Sequence, residues 1–450
     1  MNAHDVLSPG AGIPELRWAL RGAAPKRALQ GAVRELLEDG AVLRACRLRR
    51  VKFKPGRKLT VHYDAWIRSN GSQVVRPIVA VWDRGAGGAH REPHAGVEAD
   101  AVSGGLAAPF HRLLGRLPEW NVSVLVSPLD PRCPQLVRLC DPAHVAAMLA
   151  GRGPEAYGKG YRVSAVRYRP GERHVLRYEP TAAPRAPAVF AKLSKRDADA
   201  ARAFRLATRV ADWLEGATGA TRAVRPLAWI ERDGAILFPE VTGRPLSELL
   251  RLRDGRAIGP LGEAGRALRA LHSAPASLAE ALARRDFATD SESVRRASEH
   301  IFALRPRTGA AIAETLERAR TLYERLPAEP DAFTHGDFKA DHLWASRRGL
   351  TLLDFGSCAL GDPALDVGKF LADVKWWSPR QGRVAVRARD AFRAGYAGDG
   401  NRARLERARA YEALFLVMFA AHRIPLHHPE WASLTARQVE RARAALDARP

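Results

Sequence analysis

The chain has 450 residues, too many for one small domain, and 46% of them are hydrophobic, enough to fill more than one core. Its 72 lysines and arginines outnumber 49 acidic residues to give a formal charge of +23, which makes a polycation a poor ligand. Nucleotides, phosphorylated compounds and neutral sugars suit that charge better. The basic residues are spread along the chain and form no run with interleaved aromatics, so nucleic acid is not an expected partner.

No segment is apolar for long enough to cross a membrane, and Met1 to Gly22 lacks the basic-then-apolar order of a signal peptide. The expected location is cytoplasmic, with no membrane partner. Cys46, Cys133, Cys140 and Cys358 stand at no metal-ligand spacing and read as reduced, buried thiols.

In chain order, the first strong pattern is a repeat. Val51-Lys52-Phe53-Lys54-Pro55-Gly56-Arg57-Lys58, then Leu59 to Tyr63, returns as Val166-Arg167-Tyr168-Arg169-Pro170-Gly171-Glu172-Arg173, then His174 to Tyr178. Each copy alternates apolar and basic residues around a Pro-Gly turn, the pattern of an antiparallel hairpin. A strand follows in both: Ile78 to Trp82 after an Asn70-Gly71 turn, and Ala188 to Leu193. Each copy then leads through a helix to an apolar strand and a bend, Val122 to Pro128 in the first and Ala235 to Pro239 in the second. Two tandem sheet-plus-helix modules are expected, over residues 1–150 and 151–243. From Pro245 the periodicity turns helical, with helices over Leu261 to Leu271, Ala311 to Leu326, Asp390 to Tyr396 and Leu405 to Ala421. A β-rich part followed by a helical part over 244–450 predicts two lobes with a cleft.

Chemistry concentrates between Phe333 and Phe355. Phosphoryl transfer needs an oriented hydroxyl, metal ions on phosphate oxygens and positive charge near the migrating group. Asp337 can accept the nucleophile's proton. His342 and Asp354, the latter at the end of the apolar run Leu350 to Leu353, are candidate metal ligands, and Lys339 can reach a phosphate. His335 reads as loop support, and Asp366 as a buried prop for the same loop. Trp376-Trp377 reads either as substrate lining or as core.

His335-Gly336-Asp337, Leu353-Asp354-Phe355-Gly356 and Gly361-Asp362-Pro363-Ala364-Leu365-Asp366 together resemble the aminoglycoside phosphotransferase and choline-kinase-like family of small-molecule kinases. Leu237 to Leu246, including Glu240, resembles that family's hinge. The resemblance implies a protein-kinase-like bilobal α+β fold, with an antiparallel-sheet small lobe and a mainly helical large lobe. It implies ATP with Mg2+, Asp337 as catalytic base, Asp354 as metal ligand and Lys192 on the nucleotide phosphates. The turn ending in Arg173 either covers those phosphates or is a plain hairpin turn. Trp82 stands near the place of Lys192 in the first module, which therefore reads as a degenerate duplicate of the small lobe.

Two departures remain. His342 replaces the family's metal-binding asparagine, so that Mn2+ is tolerated, the second metal is held differently, or His342 meets phosphate or Asp337 instead. The helix over Asp197 to Leu214 offers no central glutamate to Lys192, only Asp199, Asp212 or Glu215. The expected activity is transfer of a phosphoryl group from ATP to a hydroxyl of a sugar, amino alcohol or natural-product intermediate. The alternative is a nucleotide-binding pseudokinase or scaffold.

Overall fold

The computed structural model describes residues 5–8, 10–84, 96–151, 160–183, 185–193, 197–218, 221–280, 282–378, 382–397 and 402–448. The chain opens with α1 (Ile13–Arg21), α2 (Ala23–Glu35), β1 (Val42–Lys54), β2 (Lys58–Ser69), β3 (Ser72–Asp83), α3 (Val97–Ser103), β4 (Leu114–Leu117) and β5 (Val122–Val126). It continues through α4 (Gln135–Leu139), α5 (Pro142–Leu149), β6 (Tyr161–Arg167), β7 (His174–Pro180), β8 (Val189–Leu193), α6 (Asp197–Thr218), β9 (Thr221–Ala223), β10 (Ala228–Ile230) and β11 (Ala235–Pro239). Then come β12 (Arg244–Pro245), α7 (Leu246–Leu252), α8 (Ile258–His272), α9 (Ala276–Ala279), β13 (Arg284–Arg285), α10 (Phe287–Ala297), α11 (Glu299–Leu304), α12 (Pro306–Arg325) and β14 (Ala332–Thr334). The last elements are β15 (Leu343–Ser346), β16 (Gly349–Leu352), β17 (Ala359–Gly361), α13 (Ala364–Trp377), α14 (Arg383–Ala397), α15 (Arg402–Arg423) and α16 (Trp431–Asp447).

These elements form two compact units. One comprises Met1–Ala201, Leu227–Glu240 and Pro425–Pro429; the other comprises Arg202–Pro226, Val241–Ile424 and Glu430–Pro450. The architecture is α+β as expected, with antiparallel sheets in the first unit and mainly helices in the second, although most of α6 and all of β9, expected with the second module, fall in the second unit.

The first unit holds two five-stranded antiparallel sheets, ordered β1-β2-β3-β5-β4 and β6-β7-β8-β11-β10. Strand for strand this is the same order twice. Both first hairpins close on a glycine in the left-handed region, Gly56 at φ +66° and Gly171 at φ +68°, where a side chain would be strained. Asn70 and Gly71 form the two-residue left-handed turn between β2 and β3 that their sequence predicts.

The shared register corrects one expectation. Thr60 and Val175 each lie four residues past the turn glycine; Thr60 pairs with Val81 and Val175 pairs with Lys192. Val81 therefore stands where Lys192 stands, and Trp82 is one residue off. In a strand, one residue is a change of face. Val79 and Val81 join one apolar core with Leu136, Leu139, Val145 and Met148 of α4 and α5, and with Val189, Ala191 and Leu193 of β8. The face of the first sheet that matches the Lys192 face is thus sealed against the opposite face of the second sheet.

In the second unit α15 is buried along most of its length and packs against α10, α12, α13 and α16. Two small sheets, β12-β15-β16-β9 and β13-β17-β14, complete it. The helices expected over 261–271, 311–326, 390–396 and 405–421 are α8, α12, the C-terminal half of α14, and α15. Among the described residues no helix is long and apolar enough to cross a membrane. The four cysteines are free thiols.

Candidate active site

The hairpin β15–β16 explains how residues separated along the chain come together. Leu343 pairs with Leu352 at its open end, and the Leu353 N–H donates to the His342 carbonyl at 2.9 Å. His342 before the first strand and Asp354 after the second are thereby held side by side. Asp354 sits in the left-handed region at φ +66°, a conformation that aspartate tolerates better than most residues and that is common at functional sites.

The loop carrying Asp337 is fixed by one face of α13. The N–H groups of His335 and Gly336 donate to Asp366 at 2.6 and 2.8 Å, and the Ala340 N–H donates to Asp373 at 2.7 Å. Asp366 and Asp373 are both fully buried and lie seven residues apart, two helical turns on one face. His272 supports Asp366 at 3.3 Å and Arg423 pairs with Asp373 at 2.6 Å. Gly336 has φ +72°, and a Cβ there would collide with the Ser357 carbonyl. Phe338 is buried against Phe370, their ring centroids 5.1 Å apart. With Phe338 pointing into the core, Asp337 keeps about a fifth of its side chain open to solvent (22%).

Both carboxylate oxygens of Asp337 are bonded. Lys339 Nζ donates to Oδ2 at 2.6 Å, and Lys369 Nζ lies 2.7 Å from Oδ1. Lys369 also donates to the Gly336 carbonyl at 2.8 Å. Burial works to raise the Asp337 pKa, but the Lys369 ammonium, with His342 and Lys339, holds it well below the ordinary carboxylate range. Asp337 is therefore ionised at neutral pH.

His342 Nδ1 lies 3.1 Å from the Asp337 carbonyl oxygen. A carbonyl only accepts, so Nδ1 carries the proton and the Nε2 lone pair is free. Nε2 faces Asp354 Oδ2 at 3.6 Å, and Nδ1 lies 3.6 Å from Asp337 Oδ2. Burial first, then Lys339, pushes the imidazole pKa down to about 4, so the ring is neutral at pH 7. One ligand atom from each of Asp337, His342 and Asp354 falls within 4.8 Å of the others, a set able to hold a cation. His335 is fully buried, with Nε2 3.1 Å from the Leu353 carbonyl, which agrees with a supporting role.

The structure thus brings Asp337, Lys339, His342 and Asp354 together. The remaining site residues expected from sequence lie in the first unit. Lys192 sits on β8 on the face opposite to the buried Val189, Ala191 and Leu193, as strand alternation requires. Arg173 is exposed after its turn. The amide of that turn is occupied, since the Gly171 N–H donates to Asp130 at 2.8 Å. The Glu240 carboxylate accepts from the Ala188 N–H at 3.0 Å and from Arg177 at 3.1 Å, within its own sheet. Arg225 pairs with both Asp212 and Glu215, while the Asp199 side chain lies outside the described residues.

Sequence reasoning missed Lys369 and Asp373. The available signal was the set Asp366, Lys369 and Asp373, three charged residues at helical spacing on a helix whose remaining residues, Lys375 apart, are uncharged.

Three solved structures are similar to this chain at low identity. A choline/ethanolamine kinase family protein from Mesorhizobium loti has 16% identity over 68% of this chain and 94% of that one, TM-score 0.46. A choline kinase from Cryptosporidium parvum has 11% identity over 68% and 96%, TM-score 0.48. A macrolide 2'-phosphotransferase from Brachybacterium faecium has 16% identity over 68% and 98%, TM-score 0.39. A comparison with curated proteins finds no match. The model of the phosphotransferase enzyme family matches residues 177–411, which include the whole Asp337–Asp354 constellation and leave the first sheet outside. The chain belongs to the phosphotransferase enzyme family.

Proposed function

We propose that the protein is a kinase that transfers the γ-phosphate of ATP to a hydroxyl of a small molecule, a sugar, amino alcohol or natural-product intermediate. The observation that carries this reading is the pair His342 Nε2 and Asp354 Oδ2, two acceptors facing each other at 3.6 Å beside the ionised Asp337. One ligand atom from each of Asp337, His342 and Asp354 lies within 4.8 Å of the others, close enough for the three to share a cation. The residues present therefore fit a metal held by His342 and Asp354, and their mixed imidazole and carboxylate donors suit Mn2+ as well as Mg2+. Such an ion, when bound, would supply positive charge to the phosphate oxygens.

The protein's own groups do the rest. Asp337 orients the acceptor hydroxyl and takes its proton as the new oxygen–phosphorus bond forms. The bond from the γ-phosphorus to the β,γ-bridging oxygen breaks, and ADP leaves with that oxygen's charge. Lys339 is assigned to the migrating phosphoryl group. Lys192 and Arg173 are assigned to the nucleotide phosphates, and Glu240, whose carboxylate is engaged within its sheet, to a backbone contact with the nucleotide. The first sheet is read as a duplicate of the small lobe that cannot take a nucleotide, because Val81 replaces Lys192 and its face is sealed in a core.

Hydrolysis of ATP with Mg2+ or Mn2+, in which water is the acceptor, tests the reading without knowledge of the substrate. Asp337→Ala and Asp354→Ala should each lower turnover by about 10²-fold or more. Undiminished turnover in either variant removes that residue from the mechanism. The rival is a nucleotide-binding pseudokinase, favoured by the fact that both Asp337 oxygens are already bonded to lysines. Binding of ATP with no turnover under any metal would select it.

A further inference from the structure

Lys369 is the feature of this site that neither the sequence reading nor the assigned chemistry accounts for. Its ammonium is almost wholly buried and touches the base itself, at 2.7 Å from Asp337 Oδ1 and 2.8 Å from the Gly336 carbonyl, and it lies 4.7 Å from the centre of the Phe415 ring. A carboxylate and an aromatic face are the two features that draw a cationic ligand into a pocket. Here the chain fills both with its own cation. The same holds along the neighbouring ends of α13 and α15. Arg423 lies 3.6 Å from the Phe419 ring centre and 5.5 Å from that of Trp376, while its guanidinium pairs with Asp373. Arg251 covers Trp377 at 4.1 Å.

We propose that Lys369 stands where the positive charge of a cationic acceptor would otherwise sit, so that the acceptor is an uncharged hydroxyl compound, a sugar or other polyol, and not an amine. This inference rests on the kinase reading above and narrows its acceptor class. Lys369 acts as a positioning residue. It fixes Oδ1 of the base, leaves the remaining lone pairs of the carboxylate for a hydroxyl, and opposes a second cation at the same place. An ammonium approaching within about 4 Å of another, at a dielectric between those of surface and interior, is disfavoured on the order of a hundredfold or more.

The test uses matched acceptors that differ in one charge, with the full-length protein: 3,3-dimethylbutan-1-ol against choline, glycerol against 2-amino-1,3-propanediol, and glucose against glucosamine. ATP hydrolysis is followed in parallel. Wild-type protein should favour the uncharged member of every phosphorylated pair by at least about tenfold in kcat/KM, and Lys369→Ala should reduce or invert that preference. A wild-type preference for the ammonium member overturns the inference and leaves the kinase reading standing. Hydrolysis also reads Lys369 without any acceptor. Lys369→Ala should lose about tenfold or more, and ethylammonium supplied in solution should restore much of the loss. A loss that ethylammonium leaves unchanged, in a variant whose melting temperature shows it folded, overturns the positioning role and the inference with it. Absence of hydrolysis in wild-type protein under both metals removes the kinase reading itself, and this inference falls with it.

Discussion

His342 shows how an imidazole at the end of the Asp337 loop is oriented by its neighbours. The Asp337 carbonyl fixes the proton on Nδ1, which leaves Nε2 to face Asp354. An imidazole in a site otherwise built of oxygen donors shifts metal preference away from Mg2+, which binds oxygen almost exclusively. Wild-type protein should therefore turn over ATP several-fold faster with Mn2+ than with Mg2+. In His342→Asn that order should reverse, as steady-state hydrolysis with each ion would show. Equal ratios in both proteins would remove His342 from the metal site. Because burial holds this imidazole near pKa 4, protonation should not compete with the metal until the pH falls well below 6.

Among the elements, the β6–β7 turn is held by groups outside its own hairpin. Asp130, after the first sheet, accepts from the Gly171 N–H at 2.8 Å and pairs with His174 at 2.8 Å, with both partners of the pair almost completely buried. Tyr168 adds a hydroxyl bond to the Leu129 carbonyl, and Lys52 on β1 pairs with Glu172 in the turn. The first module therefore fixes the conformation of the turn that its twin presents. Asp130→Ala leaves a buried histidine and a turn amide without their partner and should cost about 3–5 kcal/mol in urea or thermal unfolding. Lys52→Ala, which breaks a half-exposed pair, should cost about 1 kcal/mol or less. If the two variants were equally stable, the turn would not be anchored through Asp130.

For the molecule as a whole, acid is the relevant stress. Burial is the largest influence on His62, His300 and His342 and drives each pKa down to about 4. In the unfolded chain these groups titrate at about 6.5. Between those values the unfolded chain binds protons that the folded chain refuses, so stability is fully present above about pH 6.5 and falls as the pH drops towards 4. Melting in metal-free buffer should show this slope, and His300→Gln should flatten it. A melting temperature that stays constant from pH 7 to 4.5 would contradict the burial of these rings.

Much of this protein was legible in its sequence where the determining forces are local. The Pro-Gly and Asn-Gly turns set their hairpins through backbone conformation alone, so the two matching hairpins could be read from two short stretches. The candidate site was legible because Asp337, Lys339 and His342 lie within six residues, and because a hairpin of four-residue strands returns the chain to Asp354. Other features depend on contacts that no local pattern encodes. The strand register that sets Val81 against Lys192 emerges only from pairing across the sheet, and the sealing of that face only from its packing on the second sheet. Lys369 lies 32 residues beyond Asp337 in sequence. It reaches Asp337 because α13 is buried on nearly all sides, and the charged residues it carries must meet polar partners. The sequence by itself picked out Asp337, Lys339, His342 and Asp354 as the residues on which the proposed chemistry rests. The tertiary structure decided what charge surrounds them, because a buried ion is placed by the partners that compensate it and not by its neighbours in the chain.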